Sequence, residues 1–254
     1  RDLGEFYAYE TWSCAKALAG DTVLTEDVLA EDGLEVTGPG KLSGTGNFLR
    51  GNCTLNAVWD GETISRVDTG RTTLAVAPSR AQTFVVTGEG SIQLAEGVTA
   101  AATYVRGDGT FAGPGRLDYA LTGDAAFDGC LAENLVVRKT GRGTWRLSGA
   151  QAGTARVEAP EGGLALASGI FTGDWTLAAS NTVVVSGVNF GSGSALRLAE
   201  ATSLAVKGPA TLDNMTLHVA NPYNYLQRKA HPIVVYGPEA TGEPQVVLEK
   251  SGFV

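Results

Sequence analysis

Lys139 to Ala150 reads KTGRGTWRLSGA. A Gly-x-Gly corner, Gly141 to Gly143, delivers the chain abruptly into a five-residue run, Thr144 to Ser148, which leaves through Gly149. Trp145 and Leu147 alternate with Thr144, Arg146 and Ser148, the period-two pattern of a strand with one buried face. The alternation places Trp145 and Leu147 inside and Arg146 outside. Gly-x-Gly corners recur at Gly38, Gly44, Gly88, Gly107, Gly113, Gly141 and Gly191. Short alternating strands follow several of them: Ile92 and Leu94 after Gly90, Leu196 and Leu198 after Gly193. The corners are irregularly spaced, so the chain is a degenerate repeat.

Further apolar runs fill the intervals, among them LVV at Leu135, LALA at Leu164, WTLA at Trp175, TVVVSG at Thr182, SLAVKG at Ser203 and MTLHVA at Met215. The runs span about four to six residues and their connections about three to seven, too short for the dozen-residue crossover helix of a doubly wound sheet. Asn-Gly hairpin signals are absent. Strands that turn a corner instead of reversing, with glycine where φ must be positive, describe stacked rungs of about 20 to 25 residues. The expected fold is therefore all-β, with a parallel β-helix (solenoid) favoured over an antiparallel arrangement, carrying a short N-terminal capping helix and an irregular C-terminal cap. Residues 1–20 are read as the N-terminal cap, with Thr11 capping a helix from Trp12 to Leu18 that Gly20 stops. Residues 21–220 are read as rungs. Residues 221–254, broken by Pro222, Pro232, Pro238 and Pro244 and bulky with Tyr223, Tyr225 and Tyr236, are read as a terminal cap or sheet extension.

Composition agrees with this class. Of 254 residues, 43% are hydrophobic, only 18% are charged and 34 are glycine, well above the usual ~7%. A net charge of -8, with Lys and Arg never clustered, excludes a phosphate-binding surface, so nucleic acid is not an expected partner. No apolar run approaches the ~18 residues that cross a bilayer, so no membrane-spanning segment is expected in this chain. The chain begins at Arg1 and reads as a mature product or excised piece, with any signal peptide or anchor outside it. Cys14, Cys53 and Cys130 are widely spaced and form no zinc pattern. They read as small buried residues, the alternative being one disulfide with a leftover thiol.

The stretch LVVRKTGRGTWRLSGA resembles the autotransporter-associated β-strand repeat, whose core runs L-x-K-x-G-x-G-T-L-x-L-S-G. Leu135, Lys139, Gly141, Gly143, Thr144, Leu147, Ser148 and Gly149 carry the likeness, Trp145 stands for the usual leucine, and the family's following N-T-Y-T-G is missing. The opening TWSCAKALAGDTVLTEDV resembles the entry of pectin-lyase-like β-helices. HPIVVYGPEATGEPQVVLEKSGFV resembles the segment that closes such repeat regions. These resemblances imply a right-handed parallel β-helix of the kind found in secreted passenger domains and bacterial cell-surface proteins. The amphipathic strands of ~10 residues that build a membrane barrel are absent, so translocation by this polypeptide alone is not expected.

Because β-helices host polysaccharide lyases and hydrolases, the acidic stretch RGDGTFAGPGRLDYALTGDAAFDG carries an alternative reading. Asp108, Asp118, Asp124 and Asp128, alongside Arg106 and Arg116, would be catalytic candidates if two carboxylates met at glycosidase spacing. Each sits beside glycine or in a corner, where side-chain hydrogen bonding to backbone is the ordinary role. Paired aspartates and a Gly-His-Gly histidine are missing, and His218 and His231 have no Ser or Cys with a claim on them. No EF-hand or Ca²⁺-binding nonapeptide occurs. Arg106-Gly107-Asp108 is a corner of the recurring type. Asn52-Cys53-Thr54 and Asn214-Met215-Thr216 matter as glycosylation sequons only in a eukaryotic secretory pathway.

The expectation is thus a non-catalytic structural or binding solenoid, serving as stalk or adhesion module, extracellular or at the cell surface, with no cofactor and no metal. Its expected partners are a glycan or protein, or further copies stacked end to end. Arg146, Arg197, Lys207 and His218 are the outward candidates for contact. The alternatives are a carbohydrate-active β-helix enzyme and a subunit of a self-assembling extracellular fibre.

Overall fold

A computed structural model describes residues 9–199, 202–220 and 234–249. The chain forms two compact units, Arg1–Gly115 and Arg116–Val254. Within each, most strands consecutive in sequence fall in different sheets, and strands pair in parallel with those a turn away. That is the topology of a parallel β-solenoid, and no helix occurs among the described residues.

In unit 1 the long sheet runs Tyr9–Trp12, Asp27–Ala30, Phe48–Leu49, Thr63–Val67, Gln82–Val86, Thr99–Arg106. The second sheet runs Ala15–Ala17, Leu34–Thr37, Cys53–Asn56, Thr69–Leu74, Glu89–Leu94, Thr110–Ala112. In unit 2 the long sheet runs Arg116–Ala120, Leu135–Thr140, Thr154–Ala159, Asp174–Ala179, Ser194–Leu198, Met215–Ala220, Gln245–Glu249. Facing it are Ala125–Phe127, Thr144–Leu147, Gly163–Phe171, Val183–Phe190, Leu204–Val206 and Val234–Tyr236. The register is close to twenty residues: Val28 lies opposite Phe48, Leu135 opposite Ala155, Ala155 opposite Trp175. The last step is longer, Leu217 lying opposite Val246.

This register converts the alternation into continuous ladders. Leu117, Val137, Val157, Leu177, Leu198 and Val219 are partners on successive strands of unit 2, and all are buried. Aromatic rings fill the wider parts of the coil edge-to-face, Tyr119 on Trp145 at 5.4 Å between centroids and Phe171 on Trp175 at 5.2 Å. Trp145 and Leu147 point inward and Arg146 is exposed, as the opening stretch requires.

The corner glycines are dictated by the neighbouring turn. Gly141 has φ of +79°, and a Cβ on it would overlap the carbonyl oxygen of Leu121 twenty residues earlier. Gly143 has ordinary backbone angles, but a Cβ there would overlap the Gly123 carbonyl. The first glycine of the corner therefore serves conformation and close approach together, and the second serves close approach alone.

The helix expected from Trp12 to Leu18 is not formed. Tyr9–Trp12 pairs with Asp27–Ala30 and Ala15–Ala17 with Glu35–Thr37, with Cys14 turning the corner at φ of +61°. Seven residues make a marginal helix, whereas pairing with the next turn satisfies the same backbone groups in a ladder. Trp12 and Leu18 are both buried because they precede and follow a corner, so their helical spacing is incidental. At the other end, Val234–Tyr236, Ala240–Thr241 and Gln245–Glu249 continue the parallel pairing. Pro222, Tyr223, Tyr225, His231 and Pro232 lie outside the described residues.

Candidate functional site

The candidate catalytic carboxylates are tied individually into the scaffold. Asp118 stands on the outer face of the unit 2 long sheet and receives the Arg116 Nε–H at 2.7 Å. Asp124, in the corner before Ala125–Phe127, accepts the Thr144 backbone N–H at 2.7 Å, and Asp128 accepts the Ser148 hydroxyl. Asp108 belongs to unit 1, where it accepts the Gly88 N–H at 2.8 Å. At Asp108, Asp124 and Asp128 the expected local Asx bonding is thus replaced by bonds one turn away. The same staple recurs at Asp21 with Lys41 N–H (2.9 Å), Asp27 with Asn47 N–H (2.7 Å) and Asp32 with Asn52 N–H (2.8 Å), each pair twenty residues apart. Arg106 and Asp108 are exposed at their corner. Among the described residues no group of three or more His, Cys, Asp or Glu is placed to hold a metal ion.

Two buried cations perform a parallel task and were not assigned from sequence. Lys139 is fully buried, and its Nζ donates to the carbonyls of Gly141 (2.8 Å), Glu161 (2.8 Å) and Gly143. Burial holds its pKa below the usual lysine value, with the nearby Glu161 and Asp124 opposing that shift. Arg66 is likewise buried, donating to the carbonyls of Gly70 (3.2 Å), Gly51 (2.6 Å) and Thr69. Gln151 repeats the theme with an amide, donating to Gly129 and Gly149 carbonyls at 2.8 and 3.1 Å. Carbonyls at and beside the corners thereby gain side-chain donors from inside the coil. The sequence carries the signal, since Leu135, Val137 and Lys139 share one phase of the alternation.

The four outward candidates do not converge on one surface. Arg197 and His218 are neighbours in register on the long sheet of unit 2, half-buried, in the column Arg116, Val136, Arg156, Thr176, Arg197, His218. Arg146 stands on the opposite sheet beside Ala126 and Ala165, and exposed Lys207 follows Leu204–Val206. The arginines of the long-sheet column face carboxylates: Arg116 meets Asp118, Arg156 meets Glu158 at 2.8 Å, and Arg197 grips Asp174 through two bonds of 3.1 and 3.0 Å. The column is charged but internally compensated.

An open groove of about 640 Å³ lies on the second sheet of unit 1, lined by Glu35, Asn52, Thr54, Arg71 and Thr73 with Gly33 at one end. Glu35, Thr54, Thr73 and Gln93 form one outward column, and Leu34 and Cys53 are the inward residues beneath. The depression arises because Gly33, Thr54 and Thr73 are short while Glu35, Asn52 and Arg71 stand up around them. Glu35, Thr54 and Thr73 recur every nineteen residues, a spacing that becomes informative only once the turn length is known.

The three cysteines are free thiols. Only Cys53 is buried, where it donates weakly to Thr72 Oγ1 at 3.4 Å and burial pushes its pKa up. Cys130 is half-buried, also with a raised pKa, and Cys14 is exposed, so neither fits the expectation of a buried small residue. No protein-family model matches the chain, and neither a curated protein nor a solved structure matches it significantly.

Proposed function

We propose that this chain is a non-catalytic scaffold and binding module of a secreted or cell-surface bacterial protein, a stalk or adhesion segment contacting a glycan or protein. The observation that carries this reading is the use of its polar residues. Asp108, Asp124 and Asp128 bond to a neighbouring turn and Asp118 to Arg116, so each has a scaffolding role that supports this reading. A stack of turns in fixed register also holds outward side chains in columns about 4.8 Å apart, a surface suited to extended ligands. The likeness of LVVRKTGRGTWRLSGA to the autotransporter-associated repeat supports the right-handed sense of the coil and the extracellular location. The test is a reducing-sugar and lyase assay over acidic and neutral polysaccharides. No turnover is expected, and turnover abolished by Asp118→Asn or Asp124→Asn would replace this reading with the enzyme.

A second reading, end-to-end association into a fibre, is favoured by the last described turn. Tyr236, Val246 and Leu248 hold core positions in the register yet are 48%, 54% and 62% exposed. A solenoid edge of this kind pairs readily with another strand. Light scattering at rising concentration tests it: growth that Leu248→Lys suppresses supports association, and a constant monomer mass excludes it.

A further inference from the structure

We infer that the groove on the second sheet of unit 1 is a contact site for a carbohydrate chain. The inference rests on the proposed reading of the chain as a binding scaffold and gives that reading a location.

The groove is polar on every outward position. The column Glu35, Thr54, Thr73, Gln93 presents a carboxylate, two hydroxyls and an amide on successive strands, one group per ~4.8 Å. Beside it stand Asn52 and Arg71, joined by the Arg71 backbone N–H to Asn52 Oδ1 at 3.0 Å. Sugar hydroxyls both donate and accept, so a chain of them fits an alternation of acceptor-only Glu35, donor-only Arg71 and amphoteric Thr54 and Thr73.

Other occupants fit less well. A phosphate-rich polymer would meet Glu35 directly and Asp32 through its bond to Asn52. A peptide or lipid would seek an apolar pocket, but the only large apolar residue among the lining, Leu34, points inward and is 1% exposed. Opposite charges on Glu35 and Arg71 leave the groove near neutrality. Its volume falls within the range of small-ligand sites.

The side chains are also held in place before any ligand arrives. Asn52 Nδ2 donates to Asp32 at 2.9 Å, and Thr73 Oγ1 donates to Gln93 at 3.1 Å. Asn56 Nδ2 reaches Glu35 at 3.4 Å and Arg71 Nη1 reaches Gln93 Oε1 at 3.4 Å. The two longer bonds are weak and exchange cheaply for hydroxyls, while the strands beneath them stay fixed.

The experiment is a titration of the ¹⁵N-labelled full chain with maltotetraose, chitotetraose and tetragalacturonate, followed by amide shifts. Saturable shifts from at least one probe are expected, confined to the neighbourhood of Glu35, Asn52, Thr54, Arg71 and Thr73. Arg71→Ala and Thr54→Val should each weaken that binding by about tenfold. Arg138→Ala, at an exposed position on the other unit, should leave it unchanged, and unaltered amide positions away from the groove certify each variant's fold. Saturable shifts elsewhere, or binding unaffected by both groove variants, would overturn the groove while leaving the scaffold reading intact. No shift with any of the three probes would also overturn it, whereas polysaccharide turnover in the separate assay would remove the scaffold reading itself.

Discussion

Val219 and Leu248 are register partners on the last two strands of the unit 2 long sheet, both at core positions, yet the first is 5% exposed and the second 62%. Leu177 and Leu198, further back on the same ladder, are buried at 0% and 2%. Residue type does not make the difference. A solenoid turn is half a core, and its apolar residues are shielded only when a further turn covers them. Position along the ladder should therefore decide how much a substitution costs.

That comparison can be broken at several points. Leu177→Asp sets an unpaired charge between covered turns and should cost more than about 4 kcal/mol, abolishing the cooperative thermal transition of unit 2. If unfolding of Leu177→Asp resembled wild type, the inward ladder would be wrong. Lys139→Met keeps the volume but removes the ammonium donor shared by three corner carbonyls, of which Gly143 alone keeps a backbone N–H from Gly163, and should cost about 2–3 kcal/mol in a denaturant titration. A neutral result would mean that the corner needs no cation. Leu248→Ser, at the same core register but uncovered, should shift stability by no more than about 0.5 kcal/mol, and Arg146→Ala should do the same. A large loss from Leu248→Ser would mean that the last turn is covered after all. Alkylation sharpens the contrast in unit 1, where Cys14 should react in the native protein and Cys53, buried with a raised pKa, about a hundredfold more slowly. Equal rates would contradict the inward placement of Cys53.

Much of the fold was legible because one signal repeats. Trp145, Leu147 and Arg146 declare their faces by alternation, and the lack of room for crossover helices leaves a coil of short strands. The rung length of about 20 to 25 residues was legible, but the residue-by-residue register was hidden because corners of differing length shift it by a residue or two. Asp27 contacts Asn47 across a turn, and a reading of neighbours along the chain sees only Asp beside Glu. The same distance concealed Lys139, whose charge marks it as outward although its phase in LVVRKT is inward. The N-terminal helix was misread because Trp12, Ala15 and Leu18 carry helical spacing, and spacing alone does not reveal a corner between them. The groove was illegible for a related reason. Glu35, Thr54 and Thr73 become one column only through the register, and no motif marks them singly.

Two outward positions on one column test the coil most directly. Val136 and His218 are linked through Arg156, Thr176 and Arg197, four strand steps that place their backbones about 19 Å apart. Spin labels at Val136→Cys and His218→Cys, with Cys14 and Cys130 replaced by Ser, should give a single narrow distance distribution near that value once label length is included. A distance well above 30 Å, or a broad distribution, would contradict the parallel register on which the account rests.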